Sequence, residues 1–234
     1  MVSSLSVLVP VYNERATIEE LLTRVLAVDA GVPVTVYVGD DGSSDGTRDI
    51  LARLTDPRLR IIFMPDNVGR GGVLKHLWTL ADGDVMVHQD ADLEYDPQDY
   101  RALIAPLLSG AADVVYGSRF KGSIEGMRWL NRMGNLTMSA ASRLLYGVAV
   151  SDLMTGYKMY RTSLIRGLHI RANGFDFEAE FTARLAQRGA RFAEVPVSFH
   201  GRTFEEGKKI RAFDAVRVMR ELVRCRFSTG AARD

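Results

Sequence analysis

Val34-Thr35-Val36-Tyr37-Val38-Gly39-Asp40-Asp41-Gly42-Ser43-Ser44-Asp45 reads as a β-branched, alternating strand that stops at a Gly/Asp turn. Asp45 to Leu54 then resembles a capped helix. The same strand, loop and helix unit recurs on either side. Ser6 to Val11 is a short apolar run, and from Ala16 onward Ile18, Leu21, Leu22, Val25 and Leu26 keep helical spacing. Arg60 to Met64 makes a third strand and Gly71 to Ala81 a helix. Val85 to His88 makes a fourth strand that runs into Gln89-Asp90-Ala91-Asp92. Strands alternating with helices predict an α/β fold whose central sheet is mostly parallel, with helices on both faces.

In such sheets ligands bind beyond the carboxyl ends of the strands. Three loops fall there, Pro10 to Glu14, Gly39 to Asp45 and Gln89 to Asp96, each polar or acidic where a plain connection needs no such composition. Past a fifth strand, Asp113 to Tyr116, and Gly117-Ser118-Arg119, the pattern turns helical from Met127 to Tyr146. The segment Ser151 to Arg161 follows, then a helix around Phe177 to Arg188, an extended Arg191 to Phe199, and an amphipathic helix over Ile210 to Phe227.

Length and composition bound the function. With 234 residues, 47% apolar and 25% charged, the chain is an ordinary globular domain, which excludes disorder, collagen and a disulfide scaffold. No linker or internal repeat divides it, so residues 1–234 read as one domain, with 1–120 carrying the three polar loops and 121–234 covering that half and shaping a second substrate site. The one cysteine, Cys225, has no internal partner and no Cys/His grouping has zinc spacing, which points to a reducing, cytoplasmic setting. The N-terminus reads as a strand and not a signal peptide. The apolar window Met138 to Val150 is too short to span a bilayer and contains Arg143, so any membrane contact is peripheral. A net charge of +1 argues against nucleic-acid binding, although acids crowd Asp82 to Asp99 and bases crowd Arg202 to Arg226.

The acidic loops carry the chemistry. Asp90 and Asp92, two residues apart at a strand end with Glu94 two further on, suit Mg²⁺ or Mn²⁺ shared with substrate phosphates; the plain alternative is a solvated acidic loop. Asp45 is explained as a helix cap. The pair Asp40-Asp41 is not, and it matches acceptors for a base N–H or ribose hydroxyls. Gly69-Arg70-Gly71-Gly72 opens a helix, where backbone N–H groups and Arg70 reach toward phosphate. It does not fit a P-loop, and no G-x-G-x-x-G follows the first strand, which disfavours a nicotinamide dehydrogenase.

Taken together, Val9 to Glu14, Asp40-Asp41-Gly42-Ser43-Ser44-Asp45-Gly46-Thr47 and Gln89-Asp90-Ala91-Asp92-Leu93-Glu94 resemble glycosyltransferase family 2 in spacing and order. Gly117-Ser118-Arg119-Phe120, Ser151 to Lys158, Gly174 to Glu178 and Gly201 to Lys209 continue the likeness toward the polyprenyl-phosphate mannose and glucose synthase branch. The resemblance implies a Rossmann-like, type-A nucleotide-sugar fold and inverting, metal-dependent transfer of a hexose from a nucleotide-diphosphate sugar, of UDP-glucose or GDP-mannose type, to a polyprenyl phosphate. It implies that Pro10, Val11, Tyr12, Glu14, Asp40, Asp41, Asp90, Ala91 and Asp92 bind the donor; Arg70 and Lys75, where the glycine-rich segment departs from the family pattern, are added to them as donor-binding candidates. Asp90, Asp92 and Glu94 would hold the metal; the family often carries Gln where this chain has Glu94, which adds charge and remains a sound oxygen ligand. Arg119, Arg202, Lys208 and Lys209 would surround the acceptor phosphate, with Asp152, Arg119 and Arg202 catalytic.

A phosphate acceptor is already an anionic nucleophile and needs positioning and charge neutralisation more than a base. A neutral hydroxyl acceptor needs a base, for which Asp152, backed by Glu178 and His200, is the candidate. Asp152 reads equally as a helix cap before Leu153. A soluble hydroxyl acceptor and a non-catalytic sugar-nucleotide-binding subunit are the alternative functions. His76 and His88 read as structural, Trp78 and Trp129 as helix packing, with a lipid interface the second reading for Trp129. The basic C-terminal helix is read either as packed on its own domain or as lying on an anionic bilayer on the cytoplasmic face.

Overall fold

A computed structural model describes residues 2–125, 129–201 and 212–228. Seven strands form one sheet in the order β3-β2-β1-β4-β7-β5-β8: β1 Leu5–Val11, β2 Val34–Asp40, β3 Leu59–Phe63, β4 Val85–His88, β5 Val114–Ser118, β7 Lys158–Arg161 and β8 Phe192–Pro196. A small ladder joins β6 Ile124–Glu125 to β9 Phe199–His200. β3, β2, β1 and β4 run parallel, whereas β7 is antiparallel to both its neighbours, β4 and β5.

Helices cover both faces, as the alternation predicts. One core packs α1 Ile18–Ala27, α2 Thr47–Leu51 and α4 Tyr100–Leu108 onto Val7, Val9, Val36 and Val87. The other packs α3 Arg70–Leu80, α5 Trp129–Tyr146, α6 Phe177–Gln187 and α7 Ala212–Phe227 onto Leu8, Met86, Val114 and Tyr160. Side chains alternate between the faces along a strand, so a sheet covered twice needs apolar residues at nearly every position. β1 supplies this: all seven of its residues are buried, and Ser6 accepts the Gly83 N–H through its hydroxyl.

Two elements differ from the sequence reading. No helix starts at Leu153; after an irregular turn the chain enters β7, so Asp152 caps no helix. α4 was not anticipated, although Tyr100, Leu103, Ile104 and Leu107 are spaced for one helix face and are all buried. Pro106 lies inside it, in a helix of nine residues.

β1 sits between β2 and β4, so the connection from β1 leads one way across the sheet and the chain later returns on the other side. The carboxyl edge between β1 and β4 is therefore the switch point at which open sheets bind ligands.

Candidate active site

The loops after β1 and β2 are stitched into one surface. Asn13, at φ 55°, donates its N–H to the Ser43 hydroxyl and accepts the Ser44 N–H on its side chain. The Glu14 N–H donates to the Thr47 hydroxyl and the Arg15 N–H to Asp45. Asp45 also accepts the Thr47 N–H, but from one residue outside the helix: the N-cap of α2 is Gly46, at φ 100°, so Asp45 braces the turn and is not the cap itself.

The paired acids divide the work. Asp41 accepts the Val68 and Gly69 N–H groups at 2.7 and 2.9 Å, which fixes the loop into α3; burial pushes its carboxyl up, partly offset by those two donors. Asp40 is fully buried and takes Arg48 Nε at 2.5 Å on Oδ2, while its Oδ1 is buried without a hydrogen-bond partner. Buried polar atoms are rarely left so, and one at the carboxyl end of a strand of this sheet marks a place where a ligand donor fits.

Arg70 holds the neighbouring corner. Its Nε donates to Asp90 Oδ1 at 2.7 Å and its Nη1 to Glu178, and Nη2 is buried with no partner. Glu178 also takes Lys158, whose ammonium is fully buried. Burial raises the Glu178 carboxyl, but Lys158 and Arg70 outweigh it and hold the group below its ordinary value. The glycines beside Arg70 serve packing: a Cβ on Gly71 would stand 2.7 Å from the Phe177 ring, and the Gly71 N–H donates to Asn173 O. Lys75 is tied by its ammonium to Ile170 O, Ala172 O and Asn173, one to two turns from Arg70.

The Gln89 to Asp96 loop is braced from beneath. Gln89 Oε1 accepts both the Tyr100 and Tyr157 hydroxyls at 2.6 Å, and Tyr95, stacked on Tyr157 at 4.5 Å, accepts the Gly156 N–H. Leu93 takes φ 60°, a conformation unusual for a non-glycine residue. A Cβ on Gly156 would lie 2.4 Å from Asp90 Oδ2, so glycine leaves the space that this carboxylate oxygen occupies. Gln89, Tyr95 and Gly156 stand in the sequence reading only within quoted loops and motifs, and neither they nor Tyr100 has a role there; a glutamine between an apolar strand and an acidic loop was the available signal.

Asp90, Asp92 and Glu94 are hard oxygen donors along this loop. They do not close into a cage: among the described residues, the group of three such side chains with ligand atoms within 4.8 Å of one another is Glu180, Glu221 and Cys225. That group bonds internally and to Arg184 and Arg224 between α6 and α7. One or two carboxylates at the switch point suit Mg²⁺ or Mn²⁺, which complete their shells with phosphate oxygens and water.

Asp152 is fully buried and saturated. Arg119 clamps it with Nε and Nη2, both at 2.7 Å, the Arg119 N–H donates to it at 3.0 Å, and Asn135 adds a fourth bond. Glu194, also missed in the sequence, accepts the Ser151 and Asp152 N–H groups and pairs with Lys121. Arg119 stacks over Phe199 at 5.0 Å. Arg202, Lys208 and Lys209 lie outside the described residues. His88 is structural, as read: it bonds the Tyr160 hydroxyl at 2.8 Å, and burial pushes its pKa well down. A cleft of about 650 Å³ lined by Lys75, Trp78, Asp82, Arg166 and His169 opens at the C-terminal end of α3, the opposite end of the sheet from these loops.

The glycosyl transferase family 2 profile matches residues 6–168. The polyprenol monophosphomannose synthase of Mycolicibacterium smegmatis is 31% identical over 204 residues, covering 82% of this chain and 76% of its own. The undecaprenyl-phosphate mannosyltransferase of Micrococcus luteus is 31% identical over 86% of this chain and 85% of its own, and the dolichyl-phosphate hexose transferase of Haloferax volcanii is 32% identical over the same shares. In structure, glucosyl-3-phosphoglycerate synthase from Mycobacterium tuberculosis, solved with Mn²⁺, UDP and phosphoglyceric acid, superposes with a TM-score of 0.73 at 20% identity over 96% of this chain and 79% of its own, which establishes the type-A fold. The chain is a glycosyltransferase and belongs to glycosyl transferase family 2.

Proposed function

We propose that the protein transfers a hexose, with inversion, from a nucleotide-diphosphate sugar to a polyprenyl phosphate at the cytoplasmic face of a membrane. The observation that carries the donor half is the pair of orphaned buried atoms at the switch point. Asp40 Oδ1 is an unpartnered acceptor at the end of β2, where a nucleoside donor would satisfy it, and Arg70 Nη2 is an unpartnered donor beside Asp90, where a diphosphate would lie. Tyr12, Glu14 and Asp41 belong to the same loops. Asp90 and Asp92 would hold Mg²⁺ or Mn²⁺, with Glu94 next along the loop; a bound divalent cation supplies Lewis-acid neutralisation of the departing diphosphate.

The saturated Asp152 supports an anionic acceptor. A base must reach its proton, and a carboxylate enclosed by Arg119, Asn135 and backbone has no such reach. A phosphate oxygen brings its own charge. It attacks the anomeric carbon, the new C–O bond forms as the bond to the nucleoside diphosphate breaks, and the electron pair leaves with the diphosphate. Arg119, with Arg202, Lys208 and Lys209 from the basic loop, would align that phosphate. The names of the curated relatives support a polyprenyl phosphate acceptor.

The test offers a panel of UDP- and GDP-hexoses with a short polyprenyl phosphate, Mg²⁺ or Mn²⁺, and a chelator control. Chelator-sensitive glycolipid formation is expected. Donor turnover that yields product only with hydroxyl acceptors would overturn the acceptor, and donor binding without any turnover would overturn catalysis.

A further inference from the structure

α5 carries two opposed faces. Asn135, Met138, Ser139 and Ser142 point inward, and Asn135 holds Asp152. On the far side Trp129, Met133, Leu136 and Leu144 are 71, 52, 38 and 87% exposed, with exposed Ala140 between them. At 100° per residue these five positions fall within an arc of about 80°, a continuous apolar stripe along a helix of about 27 Å. Exposed apolar residues are ordinary singly, whereas a row of this kind marks a contact surface. Arg132 and Arg143 are exposed along one flank of the stripe, and the helix has no acidic residue.

The charge pattern decides among partners. A second copy packed antiparallel on this stripe about a two-fold axis would set the arginine flank of one helix beside that of the other, and a parallel pair would set each flank beside a helix edge with no acid to meet it. An anionic bilayer supplies the missing countercharge, takes the aliphatic stripe below its headgroups, and suits a tryptophan at the interface. None of the helices in the described residues is long and apolar enough to cross a membrane.

We propose that the outer face of α5 is the bilayer-docking surface, with Trp129, Met133, Leu136 and Leu144 seated at the headgroup and acyl boundary and Arg132 and Arg143 on lipid phosphates. The purpose of docking rests on the polyprenyl phosphate reading above. Its geometry fits that reading, since α5 alone, about 10–12 Å thick, separates the lipid surface from the Asp152–Arg119 pair. The basic helix near the C-terminus reads from sequence either as packed on its own domain or as lying on lipid; α7 does expose Val216, Val223 and Phe227, but the row on α5 is the longer one and includes the tryptophan.

Co-sedimentation with vesicles of phosphatidylcholine alone, and with 30% phosphatidylglycerol added, tests the surface. The wild-type chain is expected to bind the anionic vesicles in a salt-sensitive way. A Leu136→Gln/Leu144→Gln variant and an Arg132→Gln/Arg143→Gln variant should each bind at least tenfold more weakly, with unchanged circular dichroism. Trp129→Phe should remove the vesicle-induced blue shift in fluorescence. Transfer to a short, water-soluble polyprenyl phosphate should stay within twofold of wild type in all three, whereas transfer to long-chain acceptor embedded in vesicles should fall with binding. Wild-type protein that ignores anionic vesicles, variants that bind them normally, or stripe variants that dissociate a dimer in light scattering without losing vesicle binding would each overturn the docking surface. If no glycolipid forms with any acceptor while the variants still lose vesicle binding, the acceptor reading falls and the docking surface stands.

Discussion

Asp152 separates a structural role from a catalytic one at a single residue. Both its oxygens are occupied within a buried clamp, so Asp152→Asn replaces an acceptor by an amide donor facing Arg119 and the Arg119 N–H. Removing one member of a buried charge pair typically costs about 3–5 kcal/mol. The expected result is a clear drop in Tm together with reduced transfer. Lost turnover with an unchanged melting curve would instead assign Asp152 to proton transfer. Gly156 gives the converse case. Its backbone needs no positive φ, so alanine is conformationally allowed, yet the added methyl must displace Asp90 Oδ2 or the Tyr95 ring. Overpacking of this kind costs about 1–3 kcal/mol. Gly156→Ala should lower kcat/KM for the donor at least tenfold while the protein stays folded by circular dichroism; normal kinetics would show that the Asp90 carboxylate position is not critical.

Among elements, the strand that runs against both its neighbours is the informative one. β7 enters antiparallel between β4 and β5, and Asp113, just ahead of β5, anchors this region by pairing with Arg191 and Arg161. Hydrogen bonding from Arg191, with the charge of both arginines, holds the Asp113 carboxyl at about 2, against an ordinary 3.8. The sign follows from the lower folded value. The pairing stabilises the fold above about pH 4, and that contribution is lost as pH falls toward 2. Asp113→Asn should therefore lower stability near neutrality and flatten acid unfolding over that window, modestly, because the pair is partly solvent-screened. Circular dichroism against pH at low salt measures it; identical acid limbs would remove the pair from the account. β7 also shows where sequence reading stops. β1, β2 and β4 were legible because strands buried on both faces must be apolar almost throughout. Lys158-Met159-Tyr160-Arg161 begins and ends in charge, and the buried Lys158 is met by Glu178, from a helix 20 residues away, by Thr155 O and by the Tyr116 ring. Such pairing is tertiary and leaves no local period. The acidic loops were legible by their place after strands, whereas the Gln89 brace and the commitment of Arg70 to Asp90 and Glu178 depend on partners distant in the chain.

Over the whole molecule, the donor site is a joint between parts that hydrogen bonds already link: β1 with β2 through Asn13 and Ser43, β2 with α3 through Asp41, and α3 with β4 and α6 through Arg70. A nucleoside diphosphate that met Asp40 Oδ1 at one end and Arg70 Nη2 at the other would bridge all of these and satisfy two buried atoms at once. Binding only the folded state stabilises it by mass action, by about 2.7 kcal/mol at a hundredfold excess over Kd. For a domain of this size each kcal/mol raises Tm by about 2–4 °C, so saturating nucleotide with Mn²⁺ should add about 5–10 °C. Because Asp90 and Asp92 form no closed cage of their own, Mn²⁺ alone should add little, and the two ligands should stabilise more together than the sum of each. A chelator, or Asp92→Ala, should return the nucleotide shift toward that of nucleotide alone. A full shift that survives both would mean that Asp40 and Arg70 hold the donor by direct contacts and that the acidic loop serves some other step.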